Sequence, residues 1–186
     1  MSKAVSALGG ASHTGFADVA DAGLRGMITL RGDLSSARMK KAVKAAAGTA
    51  VPAARRIELN GDRGAAWMSP DELLILVPYD DAHSTVEALE KALAGDHHLV
   101  ADVSDARSVF TVKGAKATEA LMKLCPVDFG TLAEGEVRRT RAAQVAAALW
   151  KSGPDEFTLV AFRSVAGYVM GLLEVSARKG GEVFPA

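Results

Sequence analysis

Sulfur chemistry is nearly absent from this chain. One residue of 186 is cysteine, so no internal disulfide can form, and a reducing cytoplasm is the expected compartment. Neither sign of charge is in excess. The 22 Lys and Arg balance the 22 Asp and Glu, which argues against a nucleic-acid surface. No apolar run approaches the roughly 20 residues of a membrane span. The short N-terminal stretch Ala4-Val5-Ser6-Ala7-Leu8 is cut off by Gly9-Gly10 and does not read as a signal peptide. No Gly-x-Gly-x-x-Gly loop follows a strand and opens a helix, which excludes the usual flavin or nicotinamide fold, and there is no Gly-x-Ser-x-Gly nucleophile elbow. No Gly/Pro/Ser-rich linker divides the chain.

What is present is a second copy. Arg55-Arg56-Ile57-Glu58-Leu59, running on to Trp67-Met68-Ser69-Pro70-Asp71-Glu72-Leu73, matches Arg138-Arg139-Thr140-Arg141, running on to Trp150-Lys151-Ser152-Gly153-Pro154-Asp155-Glu156-Phe157. Ile28-Thr29-Leu30-Arg31-Gly32 matches Phe110-Thr111-Val112-Lys113-Gly114. The offsets are 83 at the tryptophans (150 − 67), 84 at the prolines (154 − 70) and 82 at the glycines (114 − 32). Two structural units are therefore expected, with Trp67 superposing on Trp150.

Hydrophobic periodicity gives the unit's plan. Residues 24–31 read as a strand. Asp33 or Ser35 caps a helix on which Met39, Ala42, Val43, Ala46 and Ala47 recur at helical spacing, and Gly48 ends it. Residues 55–60 and 63–68 read as strands joined at Asn60-Gly61. A turn at Ser69-Pro70-Asp71 leads into Glu72–Val77, a strand buried on both faces. Asp80 or Asp81 opens a helix carrying Val86, Leu89 and Leu93, and His98–Val103 is a strand. The second copy repeats the order. Val109–Val112 is a strand, Ala117, Leu121 and Leu124 lie on a helix, and 138–141, 145–151 and 156–162 are strands. Val165, Tyr168, Val169, Leu172 and Leu173 form one face of a last helix. The expected fold is α+β: strand-helix-strand-strand-strand-helix units whose antiparallel sheets are covered by helices on one side. Residues 1–23, rich in Gly, Ala and Ser, read as a flexible arm. Residues 24–178 read as one domain of two pseudo-repeats (24–103 and 106–178), and 179–186 as a tail. Val103-Ser104-Asp105-Ala106 joins the halves directly, so one cooperative body is expected.

Candidate chemistry is thin. His13, His83, His97 and His98 offer no ligand pair at helical spacing, and adjacent His97 and His98 on a strand point to opposite faces. Cys125 ends a helix beside Pro126, where the dipole disfavours a thiolate. Asp71-Glu72 and Asp155-Glu156 are repeat-related; two copies suit turns better than one active site. Trp67 and Trp150 could stack on a ligand or plug the core. Arg55, Arg56, Arg138, Arg139 and Arg141 could clamp an acidic partner or a folate tail, or line a solvated strand edge. Asp102-Val103-Ser104-Asp105 occurs once, at the joint, and suits either ligand contact or hydrogen bonds that close the joint. No residue is assigned a catalytic, cofactor-binding or metal role.

The joint Val100-Ala101-Asp102-Val103-Ser104-Asp105-Ala106-Arg107, the following Val109-Phe110-Thr111-Val112-Lys113-Gly114, Leu121-Met122-Lys123-Leu124-Cys125-Pro126-Val127-Asp128-Phe129, and Arg139-Thr140 ahead of Leu149-Trp150 resemble the gamma subunit of heterotetrameric sarcosine oxidase. The resemblance covers roughly residues 24–178. It implies the fold of the folate-binding domain of glycine-cleavage aminomethyltransferase, in which a full aminomethyltransferase would continue into further domains. It implies an assembly role in an enzyme that oxidatively demethylates sarcosine to glycine. The partners would be alpha, beta and delta subunits. FAD, FMN and NAD would sit in the large alpha and beta subunits, tetrahydrofolate on alpha and zinc on delta, with no cofactor in this chain. The alternatives are a stand-alone folate-binding protein or aminomethyltransferase-like one-carbon protein, and a scaffold for another complex. A characteristic cysteine in a glycine-rich motif marks the related iron–sulfur-assembly protein; Cys125 in Leu-Cys-Pro does not match it.

Overall fold

Local sequence sets each element of the first copy. The computed structural model describes residues 4–184. Strand β3 (Gly26–Gly32) leads to helix α1 (Ala37–Ala47). The cap of α1 is Ser36, not Asp33 or Ser35: its hydroxyl accepts the Met39 N–H at 3.1 Å. Asp33 instead accepts the Ser35 N–H and hydroxyl and shapes the bend before the cap. Met39, Ala42, Val43, Ala46 and Ala47 are buried, as the spacing predicts, and Gly48 ends the helix in the left-handed region at φ 72°. Strands β4 (Ile57–Asn60), β5 (Arg63–Ser69) and β6 (Glu72–Val77), helix α2 (Ala82–Leu93) and strand β7 (His98–Asp102) follow. Asn60 pairs with Arg63, so the tight turn is Gly61-Asp62, one residue later than expected. Of the apolar face expected on α2, Leu89 and Leu93 are buried and Val86 is half-buried.

These strands make a five-stranded sheet in the order β4-β5-β6-β3-β7, antiparallel throughout. Ile28, Leu30, Ala65, Leu73, Ile75 and Val77 turn to α1 and α2 and form a core with Met39, Val43, Leu89 and Leu93. Each such leucine, isoleucine or valine contributes about 1.5–3 kcal/mol by leaving water. Leu74 and Leu76, on the opposite face of β6, are buried as well.

With β1 (Ser12–Thr14) and β2 (Asp18–Asp21), the second sheet has six strands in the order β1-β2-β8-β11-β10-β9. Here β8 is Arg107–Lys113, β9 Val137–Ala142, β10 Val145–Gly153 and β11 Glu156–Phe162, and helices α3 (Ala117–Met122) and α4 (Ala166–Ala177) cover one face. Phe110, Val112, Leu149, Phe157, Leu159, Val169 and Leu173 pack in its core. The face of α4 is rotated from the expected one: Ala166, Val169, Met170 and Leu173 are buried, Leu172 is half-buried and Tyr168 is exposed.

The remaining strands, β1 (Ser12–Thr14) and β2 (Asp18–Asp21), correct the flexible-arm reading of residues 1–23 as far as it falls within the described residues. β2 pairs antiparallel with β8 and buries Ala17 and Val19 in the core. The small residues that suggested flexibility permit close approach instead. A Cβ on Gly15 would lie 1.9 Å from the Ala177 carbonyl oxygen, and the neighbouring Phe16 N–H donates to that oxygen at 2.8 Å. The tail also has partners: Lys123 Nζ donates to the Gly181 carbonyl at 2.5 Å, and the Val183 N–H donates to the Glu119 carboxylate.

The expected single domain of halves 24–103 and 106–178 is likewise corrected. The chain divides into two compact units, one of residues 25–105 and the other of the residues before 25 together with those after 105. Strand pairing gives the reason. Leu30 pairs with Val100 of β7, and its counterpart Val112 pairs with Val19 of β2. Val19-Ala20-Asp21 therefore occupies in the second sheet the place that Val100-Ala101-Asp102 occupies in the first. In chain order β2 leads into β3 and β7 leads into β8, yet β2 pairs with β8 and β7 with β3. Each copy gives its leading strand to the other copy's sheet.

The register also corrects the tryptophans. Trp67 pairs with Leu73, while Leu73's counterpart Phe157 pairs with Lys151. The structural offset in these strands is 84, so Trp67 corresponds to Lys151 and Trp150 to Ala66. A one-residue slip in a strand reverses the face. Trp67 packs toward the helices, and Trp150 is buried on the opposite face of its sheet. Both strands carry a bulge just before the Pro70 and Pro154 turns.

Candidate functional site

The joint after β7 is the densest polar constellation singled out from the sequence. Ser104 is buried, and its hydroxyl donates to Asp102 Oδ1 at 2.5 Å. The Ser104 N–H donates to the same carboxylate oxygen at 2.9 Å. On its other side the Ser104 hydroxyl oxygen accepts the Met27 N–H at 3.0 Å, and the Val103 N–H donates to the Met27 carbonyl at 2.8 Å. Asp102 thus orients a serine that holds the backbone at the start of β3. Asp105 accepts the Tyr79 hydroxyl at 3.0 Å. These are side-chain hydrogen bonds within the chain, the kind that fix a local turn.

Asp102 is also not unique. Its counterpart Asp21 accepts the N–H two residues on, from Gly23, at 3.1 Å, as Asp102 does from Ser104. Asp21 further accepts the Ser6 hydroxyl at 2.6 Å and the Gly10 N–H at 3.1 Å. Burial pushes its carboxyl up, but these hydrogen bonds outweigh burial and hold it below the usual carboxylate range. The sequence signal that could have found it is the repeated Val-Ala-Asp at 19–21 and 100–102.

The duplicated acidic pairs belong to turns. The Gly32 N–H donates to the Asp71 carbonyl at 3.0 Å, and the Gly114 N–H to the Asp155 carbonyl at 2.9 Å. Asp71 also accepts the Ser69 hydroxyl and an Arg31 guanidinium hydrogen, both at 2.6 Å, and these two contacts lower its pKa. Glu156 pairs with Lys113 at 3.2 Å. Arg138 pairs with Glu136 at 2.6 Å, Arg55 takes a left-handed backbone at φ 61°, and Arg139 and Arg141 are exposed on β9, an edge strand.

The histidines are dispersed. His13 is on β1, and His83 lies on α2 at 3.4 Å from Glu87. His97 precedes β7 rather than sharing the strand with His98. Nδ1 of His98 lies 2.9 Å from the Asp96 carbonyl and Nε2 lies 3.0 Å from Glu90, contacts that raise its pKa. Among the described residues, no group of three or more His, Cys, Asp or Glu side chains is placed to hold a metal ion. Cys125 is 3% exposed, and burial pushes its thiol up to about 12. Desolvation is the cause of the shift.

One groove opens between α1 and α2. Its volume is about 230 Å³, below the roughly 300–1,000 Å³ of usual ligand clefts. Alanines form most of its floor, and the one cation lining it, Arg63, is spent on the Ala46 carbonyl at 3.0 Å and on Asp81 at 2.5 Å. Among the described residues no helix is long and apolar enough to cross a membrane. The geometry supplies fixed turns and strand closures.

Over 124 residues the chain is 33% identical to the sarcosine oxidase subunit gamma of Corynebacterium sp. (strain U-96), a stretch covering 64% of this chain and 59% of that relative. The fold matches a chain of the heterotetrameric sarcosine oxidase from Corynebacterium sp. U-96 with TM-score 0.79 at 22% identity, over 87% of this chain and 83% of that one. It also matches the glycine cleavage system aminomethyltransferase T from Bartonella henselae, with TM-score 0.60 at 15% identity, over 83% of this chain and 44% of that one. The α+β, aminomethyltransferase-like fold expected from the sequence is therefore the fold observed. The profile of the sarcosine oxidase, gamma subunit family matches residues 31–178, most of the chain, and to that family the chain belongs.

Proposed function

We propose that this chain is a non-catalytic assembly subunit of a heterotetrameric sarcosine oxidase that converts sarcosine to glycine and passes the one-carbon unit to tetrahydrofolate. Its partners are the alpha, beta and delta subunits. The flavins, NAD, tetrahydrofolate and zinc belong to those chains, and the complex is cytoplasmic, in keeping with the lone cysteine. The observation that carries the reading is the fate of the Asp102-Ser104-Asp105 constellation. The Ser104 hydroxyl is held between Asp102 and Met27, Asp105 accepts the Tyr79 hydroxyl, and Asp102 has a structural counterpart in Asp21. Groups that recur in both sheets and bond to local backbone suit a scaffold.

Co-purification with the other three subunits tests the reading. Asp102→Asn is expected to lower the yield or melting temperature of the complex while turnover per assembled complex stays near wild type, because the carboxylate takes no part in the transition state. A normally assembled complex with turnover reduced about 100-fold or more, the scale of a lost acid–base group, would place part of an active site here. The competing reading, a stand-alone folate-binding protein, draws on the fold shared with aminomethyltransferase T. Stoichiometric binding of tetrahydrofolate by the isolated chain would favour it.

A further inference from the structure

The groove between α1 and α2 holds a polar group that the fold leaves unused. Ala42, Ala45 and Ala46 of α1 and Ala88 and Ala92 of α2 line it, and Thr85 stands among them, 6% exposed. A threonine within a helix commonly turns its hydroxyl back to the carbonyl four residues earlier. For Thr85 that carbonyl belongs to Asp81, and the Ser84 hydroxyl already donates to it at 3.1 Å. Among the described residues the Thr85 hydroxyl has no hydrogen-bond partner. Its oxygen is not sealed within the core, as the unpartnered oxygens of Thr49 and Ser108 are; it opens to the groove. A buried polar group without a partner costs free energy, and a molecule seated in the groove would supply one.

Helix α4 shows what packing alone requires. It is the counterpart of α2: Ala82, Leu89 and Leu93 are matched, 84 residues on, by Ala166, Leu173 and Ala177, and all six are buried. At that offset Thr85 becomes Val169 and Ala88 becomes Leu172. Valine has the shape of threonine without its hydroxyl, and leucine fills space that alanine leaves open. The first copy thus keeps a hydroxyl and a hollow at the two positions where the second has apolar bulk. The size of the hollow limits its occupant. An apolar cavity of about 150 Å³ holds one benzene, and this groove, at about 230 Å³, has room for one phenol or indole ring. The rim adds a charge preference. Helix α1 carries Arg38, Lys40, Lys41 and Lys44 and no acidic residue. Arg38 pairs with Asp96, Lys44 donates to the Gly48 carbonyl and Asp33 acts on Lys40. Lys41 stands exposed one turn before Ala45.

We infer that this groove seats one aromatic side chain, a tyrosine or tryptophan, of another subunit of the oxidase. Thr85 bonds to the ring's hydroxyl or N–H, and an acidic residue beside the ring faces Lys41. This rests on the assembly reading above and names one anchor of the surface that reading requires. Buried aromatic anchors of this kind carry much of the binding energy at protein interfaces.

The test uses two substitutions that copy α4, Ala88→Leu and Thr85→Val, and one charge reversal, Lys41→Glu. Ala88 and Lys41 are exposed and Thr85→Val keeps the side chain's shape, so the free variants are expected to melt near the wild-type temperature. Co-expressed with the alpha, beta and delta subunits, Ala88→Leu is expected to co-purify at least tenfold less than wild type. Thr85→Val is expected to lose about twofold to tenfold, the scale of one hydrogen bond. The deficit of Lys41→Glu is expected to shrink as salt is raised. The free chain is also titrated with p-cresol and with toluene, followed by amide chemical shifts. Wild type is expected to bind p-cresol more tightly than toluene, Thr85→Val to bind the two alike, and Ala88→Leu to bind neither. If Ala88→Leu and Thr85→Val assemble like wild type, this inference fails and the assembly reading stands. A wild-type chain that does not co-purify overturns both. Toluene bound as tightly as p-cresol by wild type removes Thr85 from recognition and overturns the inference. So does a free wild-type chain that dimerises and that Ala88→Leu makes monomeric without loss of hetero-assembly, which assigns the groove to a second copy.

Discussion

The two units share a plan and differ in how each obtains its last strand. Residues 25–105 are contiguous, and β7 closes their sheet from the unit's own end. The other unit reaches back to the beginning of the chain for β2. Burial follows the difference. Val19 is 1% exposed in β2, whereas its counterpart Val100 in β7 is half-buried; Asp21 is 7% exposed, whereas Asp102 is exposed. β7 is an edge strand, while β2 has β1 on its other side and a glycine-rich N-terminal segment tied across it by Ser6 and Gly10. The same three residues, Val-Ala-Asp, thus serve as a covered strand in one sheet and a rim in the other. Sheet neighbours, not the tripeptide, decide how much each side chain is worth.

The largest expected effect contrasts the two valines. Val19→Asp places an unpaired carboxylate in the core and should destabilise its unit by about 3–5 kcal/mol, the range for a buried uncompensated charge. Val100→Asp should cost about 1–2 kcal/mol, since its side chain can turn to water. Urea denaturation of both variants checks this, and equal losses would erase the asymmetry. Next come the aspartates. Asp21→Asn sets an amide against the donors of Ser6 and Gly10 and should cost about 1–3 kcal/mol; Asp102→Asn, more exposed, should cost less than about 1 kcal/mol. The folded pKa of Asp21 lies below its ordinary value, so its contribution is complete above the ordinary carboxyl range and is lost as pH falls through the folded pKa. Acid unfolding monitored by circular dichroism should therefore begin at a higher pH in wild type, relative to its neutral stability, than the change in Asp21→Asn would give.

Cys125 probes the depth of the second unit's core. With its thiol pushed up to about 12, native protein at neutral pH should react with a thiol reagent on the order of a thousandfold more slowly than after unfolding. Rapid native labelling would mean that the end of α3 opens readily. The smallest effect belongs to His98 at the rim of the first unit. Its pKa is raised, so its contribution is complete below about pH 6.5 and disappears as pH rises through the folded pKa. Wild type should lose about 0.5–1 kcal/mol between pH 6 and pH 8 that His98→Ala does not lose, measured by thermal melts in both buffers.

Much of this fold can be read from the sequence, because periodicity and caps act locally. The buried face of α1, its stop at Gly48, strand Glu72–Val77 and the Pro70 and Pro154 turns all follow from residues near them. What escapes depends on register or on distant partners. The tryptophans stand 83 residues apart where the strands run at 84, and that one residue reverses a face. Residues 12–21 look like a flexible arm because the strand that takes them into a sheet is far off in sequence: β1 pairs with β2, and β2 with β8, which begins at Arg107. Asp102 looks unique because its twin lies in that same segment. The burial of the Ser104 hydroxyl and its bond to Met27, 77 residues away, is equally a matter of tertiary contact.

The exchange of leading strands has a consequence for synthesis. β2 ends at Asp21 and β8 begins at Arg107, so 85 residues (107 − 21 − 1) must be made between the two. At roughly 5–20 residues per second, translation leaves β2 waiting on the order of 4–17 s for its partner. During that interval all of β3 through β7 emerges, so the sheet of residues 25–105 can close while the N-terminal strand still presents unpaired donors and acceptors. The nascent chain therefore carries an exposed strand edge beside a finished neighbour. A strand translated before β3 is thus among the last to find its place.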